Sequence, residues 1–327
     1  MRLSEGEERE RALVLSNRLD TRHLDVNREP IIYNAIQARH QLLMALREFF
    51  RKKGIVEHAV PHLVAKTGAC ESHDRIFALD YYGQEAFLVQ SCQLHQECFL
   101  PKFGTVYSVN ESFRKEHFFS HNHLSESTLF ESLSKGNTLE KELEFVEEML
   151  SSVSNALIKS GESCFEYFGL ENLETLTQRF GQISYAEALE ICDKSGGDFT
   201  SEEDEKITRE VGKPVFLTHH PASIKFFSTK RDGDRALSAD LLLSLSGETM
   251  GITQTENNPE TLERQFMESP LAPARAQYEW YFELHREYDF FQSGFGMGVE
   301  RLLKFVCGLP SITLAVPFVR YNHHLNP

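Results

Sequence analysis

Residues 294–302 have the sequence GFGMGVERL, in which glycine occupies every second position from Gly294 to Gly298. Alternate residues of a strand point to one face, so one face of this predicted strand carries no side chains. A flat or bulky group can lie against such a backbone, and Arg301, at the start of a predicted helix, could stack on a ring or reach a phosphate. The spacing matches neither the dinucleotide-binding fingerprint nor a P-loop. Taken alone, the pattern is more typical of a tight strand–helix junction over residues 294–308.

Upstream of this stretch, two carboxylates flank a predicted strand–turn–strand segment, Asp240 and Glu248. Near a phosphate-binding arginine, such a pair can hold Mg²⁺ through its oxygen atoms. Earlier still, residues 113–116 have the sequence FRKE, so Arg114 and Glu116 would share one face of a strand. An arginine fork suits a phosphate, and a carboxylate can accept a hydrogen bond from the amine of a base. Each pair by itself is a weak signal, because charged residues on strands are mostly solvated.

The chain around these motifs alternates between helical and strand-like periodicity. Helices are predicted over residues 36–53, 94–100, 137–160 and 262–287. Strands are predicted over residues 55–60, 86–89, 106–113, 215–217, 224–227 and 241–243. A capping box is predicted for Asn137 with Glu140, and Ser184 with Glu187 is predicted to open another helix. Residues 201–210 are predicted to be an acidic, solvated helix or loop. Clustered strands separated by long helical segments predict an α+β fold with a largely antiparallel sheet flanked by helices.

The composition limits the classes of function. Lys and Arg number 34 against 49 Asp and Glu, which gives a net charge of -15. Proteins that grip nucleic-acid backbones usually have a basic face, and this chain has no basic run beyond residues 51–53, so its charge disfavours such a partner. The 6 cysteines form no Cys-x-x-Cys pair, which disfavours a zinc site or a disulfide framework. No apolar stretch approaches the length of a membrane span, and we expect a cytoplasmic location without membrane contact.

Taken in order, these segments resemble the signature motifs of class II aminoacyl-tRNA synthetases, most of all the asparaginyl and aspartyl subgroup. Residues 79–95 (LDYYGQEAFLVQSCQLH), 278–281 (YEWY) and 317–320 (PFVR) resemble the asparaginyl enzymes in particular. The resemblance runs from about Arg18 to Arg320, and several long motifs in the right order make it specific. It implies the class II fold, with residues 1–17 as an N-terminal arm before the catalytic domain.

The resemblance implies an ATP-binding role for four side chains. Arg114 would hold the α-phosphate, and Glu116 would accept the adenine amine. His123 would face the terminal phosphates, and Arg301 would stack over the adenine and meet the γ-phosphate. The implied reaction is attack of an amino-acid carboxylate on the α-phosphate with release of pyrophosphate.

Further roles follow from the same resemblance. Asp240 and Glu248 match the carboxylates that hold Mg-ATP, and Glu71 and Gln93 match residues that bind the α-amino group of the substrate. Residues 54–61 match the motif that forms the dimer interface, so a homodimer is expected. Adjacent histidines are more often surface or core residues than ligands, and we assign no chemistry to residues 219–220.

The sequence also departs from the family pattern. Thr255 stands where the family has an arginine that grips the substrate amino acid, and residues 72–73 are Ser-His where it has Gly-Gly. Loss of a charge-assisted contact typically costs about 1.5–3 kcal/mol. Asn122 stands where an arginine usually precedes His123, in a loop that meets the tRNA acceptor end in the family. Gln96 replaces the lysine that selects aspartate. The substrate is therefore expected to be an amino acid related to Asp or Asn, or a modified one.

Only about 17 residues precede the resemblance, so an anticodon-binding barrel is not expected. Three hypotheses follow. The first is a ligase that makes an aminoacyl-adenylate and passes the acyl group to ammonia or another small acceptor, as an archaeal asparagine synthetase related to the asparaginyl enzymes does. The second is a reduced asparaginyl-tRNA synthetase that charges tRNA. The third, a synthetase-like regulator without catalysis, is disfavoured because the ATP-binding residue types are retained.

Overall fold

The computed structural model describes residues 5–66, 75–117 and 119–326, and the side chains from residue 10 onward. The strands, in chain order, are β1 (Val56–Glu57), β2 (Leu63–Val64), β3 (Ala78–Tyr81), β4 (Gln84–Leu88), β5 (Thr105–Phe113), β6 (Glu126–Lys135), β7 (Gly181–Ser184), β8 (Val215–Thr218), β9 (Arg231–Asp232), β10 (Arg235–Ala236), β11 (Ser238–Leu243), β12 (Gly247–Gln254) and β13 (Gln292–Gly298).

The α-helices, in chain order, are α1 (Glu5–Asn17), α2 (Arg22–Arg28), α3 (Pro30–Lys52), α4 (Gln93–Glu97), α5 (Leu100–Phe103), α6 (Leu139–Ser160), α7 (Ser163–Phe168), α8 (Glu171–Thr175), α9 (Tyr185–Cys192), α10 (Ser201–Val211), α11 (Pro259–Met267), α12 (Glu279–Glu287) and α13 (Val299–Val306). Short 3₁₀ helices span Ala222–Ile224, Ala272–Tyr278 and Ile312–Leu314.

An eight-stranded sheet has the strand order β1-β5-β6-β13-β12-β11-β8-β7. Its central pairs are antiparallel, and only the outermost pairs, β1 with β5 and β7 with β8, are parallel. Strands β2, β4 and β3 form a separate small sheet. The α+β fold with a largely antiparallel sheet, predicted from the sequence, is confirmed.

One face of the large sheet is covered by helices. Phe130, Met297, Met250 and Leu241 pair in register across four strands, and each side chain is fully or almost fully buried. They share a single apolar core with residues of α3, α6 and α13. Burial of each such side chain contributes roughly 1.5–3 kcal/mol. Since this face is packed, the opposite face of the same strands is the one that can carry a site.

The helices predicted over 36–53 and 137–160 are confirmed, whereas the segment 262–287 is divided into α11, a 3₁₀ helix and α12. The 36–53 helix is α3, which begins earlier because Pro30 suits the first helical turn. Ser184 and Glu187 begin helix α9 as predicted, and they form a capping box there. The capping box predicted for α6 is wrong. Thr138 occupies the N-cap, and Asn137 Nδ2 instead donates to Glu142 Oε2 at 2.9 Å.

Three other predictions need correction. No strand forms at 224–227, because Phe226 and Phe227 both turn inward into an aromatic cluster, whereas a strand would place them on opposite faces. The predicted 55–60 strand shrinks to β1. The acidic 201–210 segment is helix α10, yet it is not uniformly solvated, because Asp204 is 8% exposed.

The N-terminal segment packs against the domain. Residues 5–17 form α1, and its Ala12 and Leu15 join the main core. Arg22 is 1% exposed and donates from Nη1 to the Thr313 carbonyl at 3.0 Å. The boundary predicted at residue 18 stays a prediction. Within the described residues, no helix has the length and apolar character needed to cross a membrane.

Candidate active site

The site is built on one row of the large sheet. Gly251 pairs with Gly296 and with Asp240, and Gly296 pairs with Glu131, so these four residues point to the same face. Along each strand these residues alternate with the ones that face the packed core, so they lie on the opposite side of the sheet. The two central positions carry no side chain, and a cavity of about 420 Å³ lies over them. The bare strand face predicted from alternate glycines is therefore the floor of a cavity.

The predicted site residues converge on this floor. The cavity is lined by Gln93, Arg114, His123, Asp240, Glu248 and Arg301, among others. An adjoining cleft of about 80 Å³ is lined by Arg114, Glu116, Asn122, His123 and Arg301. Glu71 and the 72–73 pair lie outside the described residues. The structure thus brings together predicted site residues that are far apart in the chain: Gln93 and Arg301 are separated by 208 positions.

Arg114 and Glu116 lie just past the end of β5. The Glu116 amide donates to the Arg114 carbonyl at 2.8 Å, so the chain turns there and does not continue as a strand. Both side chains still reach the cleft. Arg75 Nη1 lies 2.9 Å from Glu116 Oε2, whose side chain is 4% exposed. This ion pair aligns the Glu116 carboxylate, and the sequence offered no signal for Arg75 as its partner.

His123 sits among positively charged groups. Burial lowers the pKa of His123 to about 3, and Arg301, Arg114 and Arg75 reinforce the shift. The ring is therefore neutral at physiological pH, with Nδ1 at 2.8 Å from Ser120 Oγ. Several guanidinium groups facing one cavity create a positive potential that attracts an anion such as a phosphate.

Arg301 is held at the start of α13 by several contacts. Its Nε donates to the Asn122 carbonyl at 3.2 Å, and its Nη1 donates to the Glu248 carbonyl. Ser246 Oγ donates to the Arg301 carbonyl at 2.8 Å. These bonds fix Arg301 beside Gly298, where an added Cβ would lie 3.6 Å from the Arg301 Cβ and Cγ.

Asp240 and Glu248 approach each other over Gly251. Asp240 Oδ1 and Glu248 Oε1 lie 3.9 and 3.8 Å from the point where a Cβ on Gly251 would stand. Within the described ranges, no cluster of three or more His, Cys, Asp or Glu side chains could hold a metal ion. Mg²⁺ in nucleotide enzymes usually takes one or two carboxylates and completes its shell with phosphates and water. The pair fits that mode of binding.

Asp240 has partners that the sequence did not predict. Lys225 Nζ lies 3.1 Å and His220 Nε2 lies 3.0 Å from Asp240 Oδ2. Burial opposes ionisation of Asp240, but Lys225 and His220 outweigh it and hold the pKa of this carboxyl below its ordinary value. Of the histidine pair to which no chemistry was assigned, His220 thus lines the cavity.

Asp204 also lines the cavity, although its segment was predicted to be solvated. Its Oδ2 accepts from the Glu248 backbone amide at 3.1 Å. Burial raises the pKa of Asp204 to about 7, and the Glu248 and Asp240 carboxylates add to the shift. A signal existed, because Ile207 and Thr208 follow at helical spacing and share its buried face.

Glu131 completes the floor beside Gly296. It is 3% exposed and accepts hydrogen bonds from Ser91 Oγ and from the Cys92 amide, the latter at 3.0 Å. Burial raises the pKa of Glu131. Gln96, which stands where the aspartyl enzymes have their aspartate-selecting lysine, lies behind Glu131. It is buried and donates from Nε2 to Ser108 Oγ at 2.6 Å.

Thr255 lies one step beyond the cavity. Thr253 lines the cavity, and Thr255 follows two residues later on the same face of the chain. It is 1% exposed, and its Oγ1 has no hydrogen-bond partner among the residues that the structure describes. Its predicted amino-acid-binding role therefore requires a substrate that reaches deeper than Thr253.

A family model for class II tRNA synthetases of the D, K and N type matches residues 15–322 of this sequence. The chain belongs to this family. Two asparagine–tRNA ligases illustrate the sequence likeness. That of Sorangium cellulosum is 31% identical over 333 residues, covering 94% of this chain and 74% of the relative. That of Pyrococcus furiosus is 33% identical over 321 residues, covering 94% and 73%.

Solved structures of class II synthetases have the same architecture. Asparaginyl-tRNA synthetase from Pyrococcus horikoshii, complexed with asparaginyl-adenylate, matches with a TM-score of 0.88 and 31% identity, over 94% of this chain and 73% of that one. Aspartyl-tRNA synthetase from Entamoeba histolytica, at 21% identity and a TM-score of 0.79, shares the fold over 98% of this chain and 67% of that one. This class II synthetase is an enzyme of the ligase type, and its family uses ATP.

Proposed function

We propose that the chain activates the carboxyl group of an amino acid as an aminoacyl-adenylate and releases pyrophosphate. The observation that carries the proposal is that Arg114, His123, Arg301, Asp240 and Glu248 all line the one cavity above the bare glycines Gly251 and Gly296. Two guanidinium groups and a pair of carboxylates in one cavity suit Mg-ATP better than they suit a neutral ligand. The flat floor leaves room for a nucleotide to lie against the backbone.

The chemical step needs positioning and charge neutralisation and no protein nucleophile. A substrate carboxylate oxygen attacks the α-phosphorus, and the bond from that phosphorus to the bridging oxygen of pyrophosphate breaks in line with it. Arg114 would neutralise the α-phosphate, and Arg301 with neutral His123 would bind the leaving end. Glu116, aligned by Arg75, would accept the adenine amine.

Asp240 and Glu248 would hold Mg²⁺ on the nucleotide side of the cavity. The ion, when bound, would neutralise phosphate charge. Lys225 and His220 contact Asp240 at 3.1 and 3.0 Å and would keep it ionised and oriented for the ion. Arg301 draws Glu248 to the same side, with Nη1 at 4.0 Å from Oε2.

Gln93, with Glu71, would bind the α-amino group of the substrate. Gln93 lines the cavity next to Ser91 and Glu131, so an ammonium placed there would meet oxygen acceptors. Beyond this point, the floor carries Thr253 and then Thr255, whose hydroxyl has no hydrogen-bond partner within residues 5–66, 75–117 and 119–326. We therefore propose a substrate related to asparagine or a modified amino acid, whose side chain is recognised by neutral donors and acceptors.

We propose ammonia, an amine or another small molecule as the acceptor of the acyl group. The net charge of -15 and the replacement of an arginine by Asn122 both weaken binding to an RNA phosphate backbone. The alternative acceptor is tRNA, which the likeness to asparagine–tRNA ligases favours. We also propose that the protein is a homodimer formed through residues 54–61 and that it is cytoplasmic.

The deciding experiment is amino-acid-dependent ATP–pyrophosphate exchange without tRNA, over a panel that includes aspartate, asparagine and non-standard amino acids. Exchange with one member would support adenylation and name the substrate. Ammonia, small amines and tRNA would then be tested as acceptors for the loss of adenylate. A lack of exchange both with and without tRNA, for every amino acid, would contradict the proposal.

Arg114→Ala should abolish exchange, by about 100-fold or more, because it removes a charge placed on the reacting phosphate. The fold should survive, since Arg114 lies at a strand end and lines an open cavity. Circular dichroism and thermal unfolding would check this. Normal exchange by the variant would exclude the assigned role. Arg209→Ala, which removes an exposed arginine of α10, is the matched control.

A further inference from the structure

Lys304 is a buried cation next to the site, one turn after Arg301 on α13. Its side chain is 3% exposed. Nζ donates to the His121 carbonyl at 3.2 Å and to Oδ1 of Asn122. Within residues 5–66, 75–117 and 119–326, its hydrogen-bond partners are thus neutral oxygens. A buried ammonium without an ion-pair partner is costly, so such a residue calls for an anion nearby.

The contact with Lys304 determines how Asn122 faces the cleft. An asparagine amide has an acceptor end and a donor end. Because Oδ1 is turned toward Lys304, the Nδ2 amine is the end left for the cleft that Asn122 lines beside His123. Two more bonds hold this part of the chain: Arg301 Nε donates to the Asn122 carbonyl at 3.2 Å, and the Ile312 amide donates to the His121 carbonyl at 2.9 Å.

We propose that Lys304 is a positioning residue for the polyphosphate end of the nucleotide, orienting the Asn122 amide as a donor and placing a buried positive charge behind it. The inference rests on the proposed function for the identity of the anion. Position 122 carries an uncharged asparagine where the family has an arginine. Lys304 on helix α13 then supplies the positive charge from the other side of the loop. Asn122 would contact the phosphates and Lys304 would act through it.

The charged surroundings of Lys304 agree with this role. Arg301 faces it from its own helix, Glu205 from α10, and His121 and His123 from the loop. Burial lowers the pKa of Lys304 to about 8, and Arg301 adds to the shift. The ammonium is therefore still largely charged at neutral pH, and a bound polyphosphate would favour the charged form further.

The test is Lys304→Met, with affinities for ATP and for inorganic pyrophosphate measured directly by calorimetry. Both dissociation constants should rise about tenfold, in line with the loss of a charge-assisted contact. In the exchange assay the KM for ATP should rise similarly, while kcat and the KM for the amino acid stay unchanged. Lys159→Met, which removes an exposed lysine of α6, should change none of these values.

A charge exchange separates positioning from a structural role. Asn122→Arg in the Lys304→Met background should recover most of the lost affinity, because it restores a cation from the loop side. Asn122→Ala alone, which changes a partly exposed loop residue, should weaken binding of both ligands about tenfold. Unchanged affinities in Lys304→Met and in Asn122→Ala would overturn the inference. Equal losses for ATP and amino acid that Asn122→Arg does not recover would overturn it as well.

Direct binding also distinguishes this inference from the proposed function. If the wild type binds ATP and pyrophosphate through Lys304 but shows no exchange with any amino acid, adenylation fails and the role of Lys304 stands. If the wild type binds neither ligand, both are overturned.

Discussion

Neighbouring carboxylates in this cavity have opposite protonation behaviour. Lys225 and His220 outweigh burial and keep the pKa of Asp240 below its ordinary value. Asp204, a few residues away in space, has no such partner in the described chain that outweighs burial, and its pKa rises to about 7. The same residue type is therefore an anion at one wall of the cavity and about half protonated near neutral pH at another.

This difference predicts a pH-dependent stability, measured without nucleotide or Mg²⁺. In the unfolded chain the Asp204 carboxyl titrates near 3.8, and in the folded chain near 7. The folded state holds the extra proton between these values, so the stabilisation is complete at low pH and is lost as pH rises from about 4 to about 7. Relative to Asp204→Asn, the wild type should lose about 3 kcal/mol over this range, since one pKa unit corresponds to about 1.4 kcal/mol.

Urea unfolding of both proteins at about pH 4.5, 6 and 8 would measure the effect, because the other carboxyls cancel in the difference. Parallel stability curves for the two proteins would show that Asp204 has an ordinary pKa.

At the scale of the element, Gly294 and Gly296 of β13 are required for different reasons. A Cβ on Gly294 would lie 2.3 Å from Leu133 Cδ2 and 2.4 Å from the Ser132 carbonyl, which is closer than atoms can approach. A Cβ on Gly296 would meet only Glu131, at 3.6 Å, an ordinary contact. Gly294 is therefore required by packing, whereas Gly296 is needed only to leave the floor of the cavity open.

The two alanine variants should separate stability from function. Gly294→Ala should destabilise the fold by about 1–3 kcal/mol, because it overpacks the strand against β6. Gly296→Ala should unfold at nearly the wild-type denaturant concentration yet bind ATP about tenfold more weakly, because a methyl group rises from the floor. Unfolding curves and ATP titrations of both variants provide the measurement. Equal loss of stability in the two variants, or normal ATP binding by Gly296→Ala, would contradict the assignment of Gly294 to packing and of Gly296 to the open cavity floor.

At the scale of the whole molecule, the large sheet ends in an open strand. β1 is the outermost strand and, among the residues that the structure describes, pairs with β5 alone. Its Val56 is 45% exposed, and Leu63 nearby in the chain is 48% exposed. An unpaired edge with exposed apolar side chains is a natural surface for association. The resemblance of residues 54–61 to a dimerisation motif points to the same surface.

We therefore expect a homodimer in solution that Val56→Asp converts to a monomer, because the substitution would place a charge at the apolar contact without disturbing the core. Light scattering coupled to size-exclusion chromatography would give the mass of each. Val14→Asp, on an exposed position of α1, is the control and should remain dimeric. A monomeric wild type, or a dimer that survives Val56→Asp, would place the interface elsewhere or remove it.

The sequence by itself determined the features that depend on near neighbours in the chain. Apolar periodicity was enough for α3 and α6, the Ser184–Glu187 spacing for the start of α9, and the alternate glycines for the bare face of β13. These signals are local because hydrogen bonds and side-chain directions within an element repeat over a few residues. The family followed from motifs of the same short range, and so did the side chains proposed to bind ATP.

Only the tertiary structure decided which residues from distant segments meet in the cavity. It placed Arg75 on Glu116, Lys225 on Asp240 and Lys304 on Asn122, and it buried Asp204 in an otherwise acidic surface helix. It also set Thr255 beyond the cavity lining. The physical reason is that burial and charge pairing depend on what the rest of the chain packs against a residue, and no local pattern carries that information.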